Sequence, residues 1–160
     1  MVRATKPHRM EIRTDNLRGP EIAALLTEHL DFMAQVSPPE SRHALNLEQL
    51  RQPGITFWTA WTEEQLAGCA ALREIDSTQG EVKSMRTAKS YLRRGVASRL
   101  LEHIIAEAKR RGYRRLFLET GSMPYFEPAR SLYRKAGFKE CAAFVGYKPD
   151  PNSTFFMQEI

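Results

Sequence analysis

Apolar residues recur along this chain with two different periods. Runs in which β-branched and aromatic residues alternate with polar ones predict strands at Met10–Thr14, Ile55–Thr62, 66–75 and 81–87. Residues 115–119, with a Leu-Phe-Leu centre, predict a buried strand, and 139–142 with 155–160 a closing antiparallel pair. Between these runs the spacing becomes helical. Ile22, Leu25, Leu26, Leu30 and Met33 share one side of a helix from Pro20 to about Gln35, with the proline in its first turn. Ser-Pro-Pro-Glu-Ser at 37–41 breaks it, and Asn46 caps a short helix through Leu50. Val96, Leu100, Ile104, Ile105 and Ala108 mark a helix that starts at Gly95 and ends near Arg111, before Gly112. A last helix, 128–136, stops at Gly137. Turns fall at 63–65 and 77–80 and a loop at 149–153, giving the order β-α-α-β-β-β-α-β-α-β-β and a single mixed α/β domain over residues 10–160.

Composition narrows the class. The 160 residues, 42% hydrophobic and 27% charged, suffice for one domain with a real core. No apolar run approaches the ~18 residues of a membrane span, so no membrane partner is expected. Residues 1–9 are basic and lack an apolar stretch, so they read as a disordered extension with Met10 as an alternative start, and the expected location is the cytoplasm. The net charge of +5 would suit nucleic acid, but the basic residues concentrate at 93–99 and 109–115. The first cluster coincides with a candidate anion site and the second closes a helix, where cations complement the dipole. With no aromatic-basic platform, no nucleic-acid partner is expected. Cys69 and Cys141 lie in apolar strand-like surroundings and read as buried, inert thiols with no activating base nearby. No His/Cys/Asp cluster has metal-ligand spacing, so no metal is expected.

The candidate anion site is the run Tyr91-Leu92-Arg93-Arg94-Gly95-Val96-Ala97-Ser98, a basic loop that turns directly into an amphipathic helix. First-turn N–H groups lack partners and the helix dipole is positive there, so such a junction binds anions. Gly95 permits close backbone approach, and Arg93 and Arg94 add charge for a phosphate. The other reading is a basic loop capping an ordinary surface helix.

With the preceding 81–87 strand and the downstream Ala129-Arg-Ser-Leu-Tyr133-Arg-Lys-Ala-Gly137-Phe138, this loop resembles the GNAT superfamily of acyl-CoA-dependent N-acyltransferases, in its small bacterial single-domain form. The resemblance covers roughly residues 10–160 and is strongest from Glu81 to Phe138. It implies a central, mixed but mostly antiparallel sheet, splayed in the middle and flanked by helices, with acetyl-CoA in the splay. It implies that the backbone of Met85, Arg86 and Thr87 pairs with the pantetheine arm, and that Leu92, Arg93, Arg94, Gly95, Val96, Ala97 and Ser98 form the pyrophosphate loop. Leu92 departs from the family's Gln or Arg, Ala97 is an accepted replacement for its second glycine, and Phe126 stands where an Asn is common.

The resemblance also assigns chemistry. Glu81, fourteen positions before Gly95, matches a catalytic glutamate of the histone acetyltransferase branch and is the expected general base; alternatively it is a hairpin-edge carboxylate, solvated or paired with Lys83. Tyr133 is the expected acid for the departing thiolate and a cofactor contact, or else an aromatic packed on Leu132 and Phe138. His29, His43, Thr120 and Ser122 are acceptor-site candidates, against the plainer reading of each histidine as a satisfied polar group. The 28–45 and 119–123 segments are similar to a bacterial subgroup some of whose members are labelled indole-acetic-acid acetyltransferases. The expected activity is acetyl transfer from acetyl-CoA to an amine of a small molecule or peptide, by direct attack in a ternary complex. The alternatives are a non-catalytic acyl-CoA sensor and a basic nucleic-acid binder. Phe155-Phe156-Met157 is either a homodimer edge or a core strand.

Overall fold

The computed structural model describes residues 9–160; apart from Arg9, the basic extension and the question of the start lie outside the described residues. The elements follow the predicted order: β1 (Met10–Thr14), α1 (Pro20–Val36), α2 (Leu47–Leu50), β2 (Ile55–Thr62), β3 (Gln65–Asp76), β4 (Gln79–Thr87), α3 (Val96–Arg110), β5 (Arg115–Gly121), α4 (Glu127–Lys135), β6 (Lys139–Cys141) and β7 (Ser153–Glu159). Local chemistry explains several boundaries. Asn46 and Gln49 form a reciprocal capping box at the start of α2, and Pro20 sits at the start of α1 where its missing N–H costs nothing.

The strands form one seven-stranded sheet in the order β1-β2-β3-β4-β5-β7-β6. Every pairing is antiparallel except β4 with β5. The closing pair of 139–142 and 155–160 is present, but β7 is inserted between β5 and β6. Because β7 is paired on both edges and Phe155 and Phe156 are buried, that segment is core and not an open edge for a second subunit.

The period-2 alternation sorts the side chains into two layers. Trp58 and Ala60 of β2 and Ala70 and Leu72 of β3 join Val82, Leu116, Leu118 and Phe156 under α3 and α4. Phe57, Cys69 and Ala71 point the other way, against Leu17, Leu50 and Ile22, Leu25 and Leu26 of α1. Helix α3 buries Val96, Leu100, Leu101, Ile104 and Ala108; Leu101 is fully covered where Ile105 was expected and Ile105 only partly, because the sheet covers a wider stripe than one heptad seam. Truncating a side chain such as Leu100 to alanine costs about 2–5 kcal/mol. Gly68 sits where β3, β4 and the start of α3 converge; a Cβ there would stand 2.8 Å from both the Arg86 carbonyl oxygen and Val96 Cγ1. Of the two cysteines, only Cys69 is buried as expected; Cys141, at the end of the short edge strand β6, is half-covered.

Candidate active site

Where the sheet changes from antiparallel to parallel, it opens. β4 and β5 pair only through Gln79 with Arg115, Gly80 with Leu116 and Glu81 with Phe117. Beyond Glu81 they diverge, and the Lys83-to-Thr87 half of β4 keeps β3 on one side and, among the described residues, has no strand on the other. The register with β3 slips between Cys69 and Ala71, where Ser84 adopts a left-handed φ of 54° and forms a bulge. A cleft of about 630 Å³ fills the opening, well within the range of small-molecule sites. It is lined by Met85, Arg86 and Thr87, by the start of α3, by Glu119 and Thr120 of β5, by Tyr133 of α4 and by His29 and Phe32 of α1.

The donor end of the cleft is a helix start without a side-chain cap. Gly95, the N-cap of α3, has φ 79°, and a Cβ built on it would meet nothing within 4 Å. Arg93 is also left-handed, at φ 62°. The chain therefore turns its free N–H groups and the positive end of a 15-residue helix toward open space. Leu92, Arg93, Gly95, Val96, Ala97 and Ser98 all line the cleft, whereas Arg94 turns aside, its guanidinium 5.5 Å from the Tyr91 ring centroid. Leu92, at the mouth of the cleft, is exposed. Open amide edges on β4 and an uncapped, basic helix start suit an amide-bearing arm that ends in phosphates, and so fit acetyl-CoA.

Tyr133 stands between the two ends. It is buried, packed on Phe138 and Phe156 with ring centroids 6.1 Å from each, and it lines the cleft. Burial, with the nearby Glu119 charge adding to it, pushes its phenol well above the ordinary tyrosine range, so it holds its proton firmly.

The acceptor end is a network of side chains. Glu81 is 1% exposed. Arg73 Nη2, from the paired position on β3, lies 2.5 Å from its Oε1, and Lys83 Nζ donates to Oε2 at 3.4 Å. The Tyr147 hydroxyl donates to the same Oε2 and accepts from Lys83 Nζ at 2.8 Å. The carboxylate expected as base is thus paired with Lys83, as its alternative reading had it, and with two further groups. Burial lowers the Lys83 ammonium and raises the Tyr147 phenol, and Glu81 adds to the latter. His43 packs edge-on to Tyr147 at 4.9 Å. His29, on α1, is buried and desolvated with the Arg86 charge beside it, which together hold its imidazole at about 4, neutral at physiological pH. Arg86 donates to Glu28 at 3.1 Å and its guanidinium lies 5.5 Å from the Phe32 ring centroid.

Several buried polar atoms around this end have no hydrogen-bond partner among the described residues: His29 Nδ1, His43 Nε2, Ser84 Oγ and Arg86 Nε. Buried polar groups are nearly always satisfied, so this cluster in one cleft marks where a polar ligand belongs. Of the acceptor candidates, His29, His43 and Thr120 line the cleft. Ser122 does not: past the end of β5, its hydroxyl donates to the Pro151 carbonyl at 2.6 Å and serves the loop. The sequence reading left out Lys83 and Glu119 as actors. Alternation could have found them, since Glu81 and Lys83 on β4 share a face with Phe117 and Glu119 on β5, and a carboxylate closing a buried Leu-Phe-Leu strand is itself unusual.

Residues 22–138 match the model of the Acetyltransferase (GNAT) family. The chain is 56% identical over 151 residues to "Uncharacterized N-acetyltransferase YsnE" of Bacillus subtilis (strain 168), covering 94% of this chain and all of that protein. It is 51% identical to "Uncharacterized N-acetyltransferase YedL" of Escherichia coli (strain K12), over 90% of this chain and 91% of the relative. Among solved structures, a GNAT family acetyltransferase from Elizabethkingia anophelis with acetyl-CoA bound superposes with a TM-score of 0.66 at 18% identity, over 94% of this chain and 98% of that one. On this match and these relatives the chain belongs to the acetyltransferase (GNAT) family and is an acetyl-CoA-dependent N-acetyltransferase.

Proposed function

We propose that this protein acetylates an amine of a small molecule or peptide by direct attack within a ternary complex. The observation that carries this reading is the continuity of the cleft: one cavity runs from the helix start at Gly95, past Tyr133, to the network around Glu81 and His43, so donor and acceptor meet without relay. Acetyl-CoA supplies the acetyl group as a thioester, whose acyl carbon the amine attacks and whose sulfur leaves. Arg93 and the N–H groups of Val96, Ala97 and Ser98 hold its phosphates, and the open edge of Met85–Thr87 holds its amide arm. Tyr133 Oη, kept protonated, donates to the leaving sulfur. A carboxylate on the shared β4–β5 face receives the proton of the acceptor ammonium.

A route through a cysteine has no support here. Cys69 is fully buried, burial pushes its thiol up to about 12, and its Sγ is 3.4 Å from the Ser84 carbonyl oxygen. The acceptor end is walled by Phe32, Tyr125 and Phe126, with Phe32 and Tyr125 rings 4.5 Å apart, which suits an acceptor with an aromatic or apolar body. No described helix is long and apolar enough to cross a membrane.

Release of free CoA thiol from acetyl-CoA, followed across amines, amino acids, polyamines, peptides and aromatic acids, tests the reading. Release with one acceptor class, and an acetylated product by mass spectrometry, is expected. Tight acetyl-CoA binding with no release on any acceptor would replace it with the sensor reading.

A further inference from the structure

We infer that Glu119, not Glu81, is the group that binds the acceptor ammonium and takes its proton. The inference rests on the acetyl-transfer reading above and deepens it.

The two carboxylates share one face of the sheet at its opening, but their surroundings differ. Glu81 lies at the last paired position of β4 and β5, with the Arg73 guanidinium beside Oε1 and Lys83 and Tyr147 hydrogen-bonded to Oε2. These contacts tie Glu81 to cations of the protein itself. Glu119 lies two residues past the last paired position on β5, where the strands have separated, and lines the cleft. Among the described residues no cation forms an ion pair with it. A buried carboxylate with no cation of its own, facing a cavity, is complementary to an ammonium brought by a ligand.

The groups facing Glu119 set its proton affinity. Burial raises it; the Ser153 hydroxyl on β7 and the Lys83 ammonium on β4 lower it; and Glu81 and Asp150 raise it, for a net position of about 7 against an ordinary 4.5. Tyr133, on α4, feels the same charge. A base near neutrality is the most effective one at physiological pH. Glu81 then positions: it holds Lys83 and Tyr147 in place beside Glu119.

The proton balance closes. The ammonium sheds two protons as its N–C bond forms and the C–S bond breaks. Glu119 accepts the first before attack and passes it to water after product leaves. The second returns to Tyr133, which has given its own proton to the departing sulfur.

Two measurements test this. In protein labelled with ¹³C at the glutamate side-chain carboxyls, one resonance should titrate near neutrality and be missing from Glu119→Gln; a Glu119 carboxyl that titrates in the ordinary range would overturn the inference, whether or not an acceptor is known. In turnover, Glu119→Gln should lose about 100-fold in kcat with phenethylamine or spermidine, whichever the wild type accepts. It should keep its acetyl-CoA Kd, and should recover with hydroxylamine, which is already neutral at neutral pH. Equal loss with hydroxylamine, or an unchanged pH profile in Glu119→Gln, would assign Glu119 a structural role. Absence of turnover by the wild type on every acceptor would instead count against the acetyl-transfer reading and leave the carboxyl titration to decide Glu119.

Discussion

The two ends of the cleft are built by opposite means. At the donor end the groups that the proposal puts to work are backbone: an open strand edge at 85–87 and an uncapped helix start at Gly95. At the acceptor end they are side chains from β3, β4, β5, α1 and the segment before β7, those of β3, β4 and that segment meeting at Glu81. A backbone site is fixed by local conformation and is indifferent to most side chains, which is why Leu92 can stand where a polar residue is usual. A side-chain site depends on which distant segments meet, so one replacement changes its charge and selectivity. The comparison predicts that variants at the donor end alter cofactor affinity and that variants at the acceptor end alter turnover and pH dependence.

The largest effect that separates the ends should come from Tyr133→Phe, at their junction. Loss of an acid typically costs 100-fold or more, so kcat should fall by about that factor while the acetyl-CoA Kd stays within about twofold, as read by calorimetry beside steady-state rates. Near-wild-type turnover would remove Tyr133 from proton transfer. Next in size is Gly95→Val. A β-branched residue at φ 79° carries roughly 1–2 kcal/mol of backbone strain and fills the space the phosphates need. Acetyl-CoA affinity should drop about tenfold or more, with acceptor KM unmoved; unchanged binding would contradict the phosphate-loop assignment.

Smaller effects concern stability. Gly68→Ala places a methyl 2.8 Å from the Arg86 carbonyl oxygen, so denaturant unfolding should show a loss of about 1–3 kcal/mol, as expected of overpacking. A further stability effect is the pH dependence of Glu119. Its native proton affinity is raised from 4.5 to about 7, so its contribution to stability is fully present below pH 4.5 and lost as pH rises through about 7. Glu119→Gln, which cannot ionise, should therefore match the wild type in Tm at low pH and exceed it above neutrality. A constant difference across the range would mean that Glu119 titrates normally.

The same contrast decides what could be read from the sequence. The element order follows from periodicity, because each element is encoded within a dozen or so consecutive residues, whereas the sheet class and the expected phosphate loop come from the resemblance to the GNAT family. The insertion of β7 between β5 and β6 is not encoded locally, since either edge of β6 would have satisfied the same alternation. Glu81 could be singled out by its distance from Gly95, but its commitment to Arg73 and Tyr147 could not, because those partners lie 8 residues upstream and 66 downstream. Ser122 shows the converse: a hydroxyl close in sequence to the cleft residues Glu119 and Thr120 is turned, past the end of β5, toward Pro151.

The most direct test of this division of labour measures two quantities on two variants: acetyl-CoA Kd by calorimetry, and kcat as a function of pH, for Gly95→Val and Glu119→Gln. The account predicts that Gly95→Val weakens binding and leaves the shape of the pH profile intact, whereas Glu119→Gln leaves binding intact and removes the limb near neutrality. If both variants moved both quantities together, donor and acceptor ends would not be separable, and the assignment of the amine's proton to Glu119 would be wrong.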